Sequence, residues 1–237
     1  MNASGDNSPL SVAAATRVRL FPLPNLVMFP HVVQPLHIFE PRYCDLLENA
    51  LAGDRQIAMV LLEPGWERDY EGSPAISPVA CIGKVVAHER MPTGRHNILL
   101  RGLKRVAIQR ELRATHAFRQ AEVDWLDDFY PPSGAEQRPL AQRRLVDLAR
   151  QLLPDSQALH EQLDELLAGQ VSLGMLTDVF AFTLGFSPAV KQRLLAEGNV
   201  DRRAAILCDK LTALAEQLQR APASDAVAEF PPRFSLN

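Results

Sequence analysis

The hydrophobic periodicity changes once along the chain, and this change limits the possible folds more than any other feature of the sequence. Before about residue 126, apolar residues come in short runs or mix with polar ones, as in QIAMVLLE (56–63) and VACIGKVVAHERM (79–91). Beyond residue 140 they recur every three or four positions. The first pattern is typical of strands and the second of amphipathic helices. The sequence therefore predicts an α+β fold, β-rich first and helical second.

The β-rich part is predicted to span residues 17–130. The segment RHNILLRGLKRVAIQREL (95–112) predicts two strands joined around Gly102, and AFRQAEVDWLDD (117–128) predicts a further strand. The stretch YPPSGAEQRP (130–139) is typical of a connection, because proline and glycine interrupt regular structure.

The helical part is predicted to span residues 131–220 as a bundle. A first helical stripe is formed by Leu140, Leu145, Leu148, Leu152 and Leu153. Further helices are predicted at 156–169, within LGMLTDVFAFTLG (173–185) starting from Ser172 or Thr177, at 187–198 with Ser187 as N-cap and Pro188 at the first position, and at 200–220. Residues 1–16 and 221–237 are predicted to be a flexible leader and a tail.

One short helix is predicted inside the β-rich part, after the proline-rich apolar stretch FPLPNLVMFPHVVQPLHIFEPRY (21–43). Pro41 suits a first helical position, and Glu40 beside it suits the positive end of the helix dipole. The segment Phe39, Glu40, Pro41, Arg42 and Tyr43 is therefore interpreted as a structural strand-to-helix junction. We expect Arg42 to pair nearby and Tyr43 to pack inward.

Composition argues against several classes of protein. The formal net charge is −3, so no overall positive field attracts nucleic acid or anionic membrane. The three cysteines are widely spaced, which favours a reducing compartment and a cytoplasmic protein. No run of about 18 apolar residues predicts a membrane span.

The sequence contains no recognisable catalytic or cofactor-binding motif. A phosphate-binding G-x-x-x-x-G-K-[ST] loop, an H-E-x-x-H zinc pair and a G-x-S-x-G elbow are all missing. The six histidines show no ligand spacing. We therefore expect no catalytic residues, no metal and no cofactor, and a protein that is not an enzyme.

Exposed aromatic residues are the candidates for binding a partner. Trp66 and Tyr70 lie in the acidic loop EPGWERDYEG (63–72), and large rigid aromatics dominate recognition hot spots. Met91, Phe129 and Tyr130 are further candidates for a peptide-binding groove. The alternative is that Trp66 and Tyr70 fold back as a lid on the sheet.

A second hypothesis concerns a basic segment. Between Lys84 and Arg119 the sequence has nine lysines and arginines but two glutamates, a bias that could serve RNA. However, no pair of aromatics for stacking bases interleaves these residues, and solvated strand faces explain them better.

The order of three blocks resembles the N-terminal domain of Lon proteases. The first block is LFPLPNLVMFPHVVQPLHIFEPRYCDLLENALAGDRQIAMVLL, the second CIGKVVAHERMPTGRHNILLRGLKRVAI, and the third DVFAFTLGFSPAVKQRLLAEGNVDRRAAILCDKL. The resemblance covers about residues 17–220.

This resemblance implies a twisted, PUA-like pseudo-barrel followed by a helical bundle. It implies a stand-alone protein- or peptide-binding module without the ATPase and peptidase parts of Lon. The expected partners are unfolded or exposed apolar polypeptide segments, in a setting that includes a protease or a chaperone system. Because some PUA-like barrels bind RNA, RNA binding stays the alternative function, although nucleic acid and membrane are not the expected partners.

Overall fold

The computed structural model describes residues 16–70, 72–152 and 171–220. The leader (except Thr16), the tail and the helix predicted at 156–169 lie outside the described residues.

Six strands form one curled sheet. They are β1 (Thr16–Leu23), β2 (Val33–Ile38), β3 (Gln56–Leu61), β4 (Val79–Arg90), β5 (His96–Glu111) and β6 (Gln120–Leu126), in the order β2-β5-β4-β3-β1-β6. The first four residues of β1 pair with β6, whereas its last four pair in parallel with β3. Strand β5 shares its length in the same way between β2 and β6. These divided pairings curl the sheet back on itself without making a regular closed barrel.

Five helices accompany the sheet. Helix α1 (Pro41–Leu51) connects β2 to β3, and α2 (Arg138–Leu152), α3 (Leu173–Thr183), α4 (Pro188–Ala196) and α5 (Val200–Arg220) follow the last strand. The expected N-caps are confirmed at Ser187 and, of the two candidates for α3, at Ser172. The hydroxyl of Ser172 accepts a bond from the Met175 N–H, and that of Ser187 accepts one from Val190.

Helix α1 begins with Pro41 as expected, but Glu40 does not cap it. The Glu40 side chain makes no hydrogen bond to the first-turn N–H groups. Its carboxylate instead binds the side chains of Arg42 and Tyr70. Sequence spacing identifies a helix start, but it cannot show that a residue 30 positions away competes for the same carboxylate.

The two strands predicted within 95–112 are one strand in the structure. Strand β5 runs without a break through Gly102, which is buried. A Cβ atom at this position would lie 1.9 Å from the carbonyl oxygen of Phe29. The glycine therefore permits a close backbone approach inside a strand, and it does not mark a turn.

The hydrophobic core continues from the sheet into the helices. The larger cluster joins Phe29 before β2, Leu47 of α1 and Leu100 of β5 with Leu145 of α2 and Leu207 of α5. A smaller cluster fills the inside of the curled sheet, with Leu20, Ile82 and Val106 among its members. The α+β fold predicted from the periodicity is confirmed.

A buried ionic cluster, here called the junction network, ties the sheet to the helices. It consists of Arg105 on β5, Asp128 after β6, Asp178 on α3 and Arg203 on α5. Arg105 makes a two-bonded contact with Asp178, and Arg203 donates to both oxygens of Asp128 at 2.7 and 2.9 Å. Arg105, Asp178 and Arg203 are buried. Paired and hydrogen-bonded in this way, the charges can stay inside the protein.

Additional bonds satisfy the two arginines of the junction network. The Arg105 Nε donates to the Leu195 carbonyl at 2.9 Å, and the Arg203 Nε donates to the Thr177 hydroxyl at 2.9 Å. Four elements therefore meet on these two side chains, which fixes the helices relative to β5.

Acid is expected to weaken the fold through His96. This histidine is buried in β5, and its Nδ1 lies 2.9 Å from His88 Nε2. Burial, then the neighbouring His88 and Arg90, lower the pKa of His96 from its ordinary value of 6.5. Below that pH the unfolded chain binds a proton that the folded state resists, so stability is lost as pH falls.

Urea denaturation at pH 7.5 and pH 5.5 tests this expectation. The unfolding free energy should fall between the two pH values, and His96→Gln should reduce that fall. His37→Gln removes an exposed imidazole and should leave the pH dependence unchanged. An equal pH dependence in the His96 variant and in the unaltered protein would contradict the assignment.

Candidate functional site

A cleft of about 460 Å³ opens beside the first turn of α1. Arg42 and Tyr43 of α1 form its floor together with Pro22 of β1. One wall comes from the loop that carries Tyr70 and Pro74, and the other from the connection between β5 and β6, residues 111–119. Its volume lies within the range of small-molecule and peptide side-chain pockets, about 300–1,000 Å³.

Arg42 is held between two tyrosine rings. Its guanidinium carbon lies 4.8 Å from the centre of the Tyr43 ring and 4.7 Å from that of the Tyr70 ring. The same guanidinium forms an ion pair with Glu40 at 2.9 Å and donates to the Tyr70 carbonyl at 3.2 Å. Arg42 therefore pairs nearby, as the sequence predicts, and it fixes the loop to the helix.

Glu40 and Tyr43 complete this joint. The Tyr70 hydroxyl donates to the Glu40 carboxylate at 2.6 Å, and the buried Tyr43 hydroxyl donates to the Pro22 carbonyl at 3.2 Å. Burial raises the pKa of Tyr43. Burial and the bond to Glu40 raise the pKa of Tyr70. Both phenols therefore stay protonated at neutral pH, as hydrogen-bond donors.

Trp66 and Tyr70 form one aromatic pair at the edge of the cleft. Gly65, with φ of 91°, starts a 3-10 turn at Trp66–Asp69, and this turn brings the two rings to 5.4 Å in an edge-to-face arrangement. Both side chains are half-buried. The loop thus lies against α1, with part of each ring open to solvent.

The opposite wall comes from the connection after β5. Phe118 is buried, and the ring of the exposed His116 stacks on it at 4.8 Å. Arg119 forms two bonds of 2.6 and 2.7 Å to Glu111 and a third, of 2.8 Å, to the Pro74 carbonyl. Both arginines of the cleft are thus already paired with carboxylates, which leaves a mixed apolar and polar surface.

The remaining predicted binding residues lie elsewhere. Met91 is half-buried in the β4–β5 turn. Phe129 is exposed, and its backbone bridges to Asn199. Tyr130 lies under the Arg138 guanidinium, 5.2 Å from its ring centre. The structure therefore brings together Trp66 and Tyr70 with the 40–43 motif, but it does not bring in Met91, Phe129 or Tyr130. Phe39 of that motif is exposed and lies under Arg95.

The sequence gave no indication of the 111–119 wall. Phe118 and Arg119 follow β5 by chain position, and their contact with α1 and Pro74 depends on how β5 and β6 curl. A hydrophobic pattern reports which face is buried, and it does not report which distant segments meet there.

Most cations of the segment between Lys84 and Arg119 fall into two groups. Ion pairs or burial occupy Lys104, Arg105, Arg110 and Arg119. Among the described residues, Lys84, Arg90, Arg101 and Arg113 have no carboxylate within ion-pair distance. In the same part of the chain there is no group of three or more possible metal ligands. No helix of the described ranges is long and apolar enough to cross a membrane.

Comparison with known proteins identifies a matching family. A family model described as the ATP-dependent protease La (LON) substrate-binding domain matches residues 17–213. The chain is 29% identical over 190 residues to a Lon protease of Xanthomonas oryzae, and 29% identical over 194 residues to one of Koribacter versatilis. These matches cover 79% and 81% of this chain but 22% and 23% of those proteins. The chain thus spans about a fifth of the length of the curated relatives it matches.

Solved structures share the fold. The N-terminal domain of a Mycobacterium avium complex Lon protease superimposes with a TM-score of 0.67 at 16% identity, covering 83% of this chain and 98% of that one. A Lon N-terminal domain protein from Xanthomonas campestris gives 0.55 at 22% identity, covering 87% and 99%. At these identities the likeness concerns the fold, and it confirms the architecture that the sequence resemblance implies.

Proposed function

Because the chain belongs to the family of Lon substrate-binding domains, we propose that it is a non-enzymatic module that binds exposed, unfolded segments of other polypeptides. The observation that carries this proposal is the half-buried Trp66–Tyr70 pair at the edge of a cleft. Aromatic side chains held rigidly beside a pocket are the residues that dominate polypeptide recognition.

The chemistry of the cleft favours an apolar side chain with a polar backbone. Pro22, Leu62 and Phe118 supply apolar surface. Arg42 and Arg119 are already neutralised by Glu40 and Glu111, so the cleft offers no unpaired cation to a phosphate or a carboxylate. An extended chain could insert a side chain between the walls while its amides meet the polar rim.

We also propose that recognition belongs to the β-rich part, residues 17–130, and that the helical part, 131–220, supports it. Every cleft residue lies between Pro22 and Arg119. The junction network then transmits the stability of the helices to β5, the strand that leads directly into the cleft wall.

Loss of the aromatic pair is expected to weaken polypeptide binding. Fluorescein-labelled unfolded casein is the probe, and fluorescence anisotropy reports its binding to the purified protein. The double variant Trp66→Ala, Tyr70→Ala should raise the Kd at least about tenfold, since hot-spot truncations cost about 2 kcal/mol or more. Because both rings are partly exposed, the melting temperature should change far less than for a core truncation.

Two control variants give this experiment its direction. Trp125→Ala removes an exposed tryptophan outside the cleft and should leave the Kd unchanged. Phe129→Ala with Tyr130→Ala tests the other predicted aromatics, and it too should leave the Kd unchanged. If the Phe129 and Tyr130 variant loses binding while the Trp66 and Tyr70 variant keeps it, the recognition surface is at the junction and the proposal for the cleft is wrong.

A further inference from the structure

A second surface, separate from the cleft, lies on the solvent side of β2, β5 and β4. The strand register sets out its residues in three cross-strand rows, which are Val33–Arg101–Lys84, Pro35–Leu99–Ala87 and His37–Asn97–Glu89. All of these side chains are exposed except that of Asn97, which is half-buried. We call this surface the outer face. None of its residues lines the cleft.

The outer face is more apolar than a solvated sheet face requires. Val33 is 46% exposed, Val86 45%, Leu99 39% and Phe39, at the end of β2, 39%. Val86 reaches solvent because a bulge between Val85 and Ala87 inserts one residue into β4, so two consecutive side chains are exposed. Contiguous exposed aliphatic residues of this kind mark interaction surfaces.

The cations of the outer face are uncompensated at one end. Lys84 and Arg101 are direct cross-strand neighbours, and within the described ranges neither has a carboxylate at ion-pair distance. Like charges placed directly opposite each other are destabilising in a sheet. Glu89, the acid of this face, lies two rows away, about 13 Å along the strands. An acidic partner would relieve this repulsion.

The edge of β2 is unsuited to accepting another strand. Pro35 lacks an N–H donor, and its carbonyl already accepts a bond of 2.6 Å from the Gln34 side chain. Docking by strand addition is therefore disfavoured, and the flat outer face itself is available. A helix packs onto a sheet face through an apolar stripe.

We propose that the outer face docks an amphipathic helix of a partner protein, with an aliphatic stripe bordered by acidic residues. The stripe would cover Leu99, Val86 and Pro35, and the acids would pair with Lys84 and Arg101. Nucleic acid fits this surface less well, because aliphatic side chains offer no ring for a base to stack on.

A defined peptide tests the proposal. The probe is a fluorescein-labelled helical peptide of about 18 residues, with leucine at every third or fourth position and glutamate beside the stripe. A twin peptide carries lysine in place of each glutamate. The acidic peptide should bind the unaltered protein, more weakly as salt rises, and the lysine twin should bind at least about tenfold more weakly.

Charge reversal identifies the surface. Lys84→Glu with Arg101→Glu should weaken the acidic peptide at least about tenfold and strengthen the lysine twin, a gain that misfolding could not produce. Arg113→Glu with Arg143→Glu makes the same charge change at exposed positions outside this face and should leave binding unchanged, as should the Trp66 and Tyr70 double variant.

Three outcomes would overturn the proposal. One is no binding of the acidic peptide to the unaltered protein. Another is equal binding to the protein with Lys84 and Arg101 reversed. The third is tighter binding of a single-stranded RNA of similar length that the same reversal abolishes, which would make the outer face a nucleic-acid surface.

Discussion

Asp178→Ala is expected to lower the unfolding free energy by about 3–5 kcal/mol, because it leaves buried charges without their partner. Asp178 is fully buried and bonds to the guanidinium of Arg105, and Arg203 lies 3.6 Å away. Without the carboxylate, two buried guanidiniums face each other with Asp128 as their remaining acid. The melting temperature should fall by roughly 6–20 °C for a chain of this size.

The matched control for this variant is Asp127→Ala. Asp127 also pairs with a cation, Lys104, at 2.6 Å, but 76% of its side chain is exposed. Exposed ion pairs contribute at most about 1 kcal/mol. Urea denaturation of both variants gives the comparison. If Asp178→Ala costs no more than Asp127→Ala, the junction network does not hold the helices to the sheet.

Gly102→Ala is expected to cost about 3 kcal/mol, at the upper end of what overpacking usually costs. The added methyl group would lie 1.9 Å from the Phe29 carbonyl oxygen and 3.2 Å from the Pro30 Cα. Both are backbone atoms, so no side chain can rotate away. The Gly102 N–H also donates to the Val32 carbonyl at 2.8 Å, and its carbonyl accepts from His31 at 3.0 Å. Any relief of the clash therefore breaks bonds that hold the segment before β2.

Gly185→Ala provides the comparison for this substitution. No atom lies within 4 Å of a Cβ at Gly185, and its backbone has no positive φ. Its unfolding free energy should stay within about 0.5 kcal/mol of the unaltered protein. Equal stability of the two alanine variants in urea would show that the Phe29–Val32 segment adapts, and that Gly102 is not required by close approach.

Local signals explain which parts of the fold could be predicted from the sequence. Ser172, Ser187 and Pro41 act within three residues of their own positions, so their helix starts are visible in the sequence. The β-rich and helical parts follow from periodicity, which is also local. Gly102 misled the prediction because a glycine that admits a neighbouring backbone has the same letter as a glycine that turns.

Contacts between distant residues explain what could not be predicted. Arg105 and Asp178 are 73 positions apart, and neither differs in sequence from a surface residue. The candidate cleft was half visible, since Tyr70 and the 40–43 motif were each identified. Their bonds across 28 and 30 positions, and the wall from Phe118 to Arg119, depend on the curl of the sheet.

The central claim is that unfolded polypeptide binds in the cleft beside Trp66 and Tyr70, and backbone amide NMR of the isotopically labelled protein with unfolded casein tests it most directly. The account predicts that the signals of Arg42, Tyr70 and Phe118 shift as casein is added. The signals of the α2 and α5 helices should stay in place. Shifts confined to the helices, or to Phe129 and Tyr130, with the cleft signals unmoved at saturating casein, would contradict the claim.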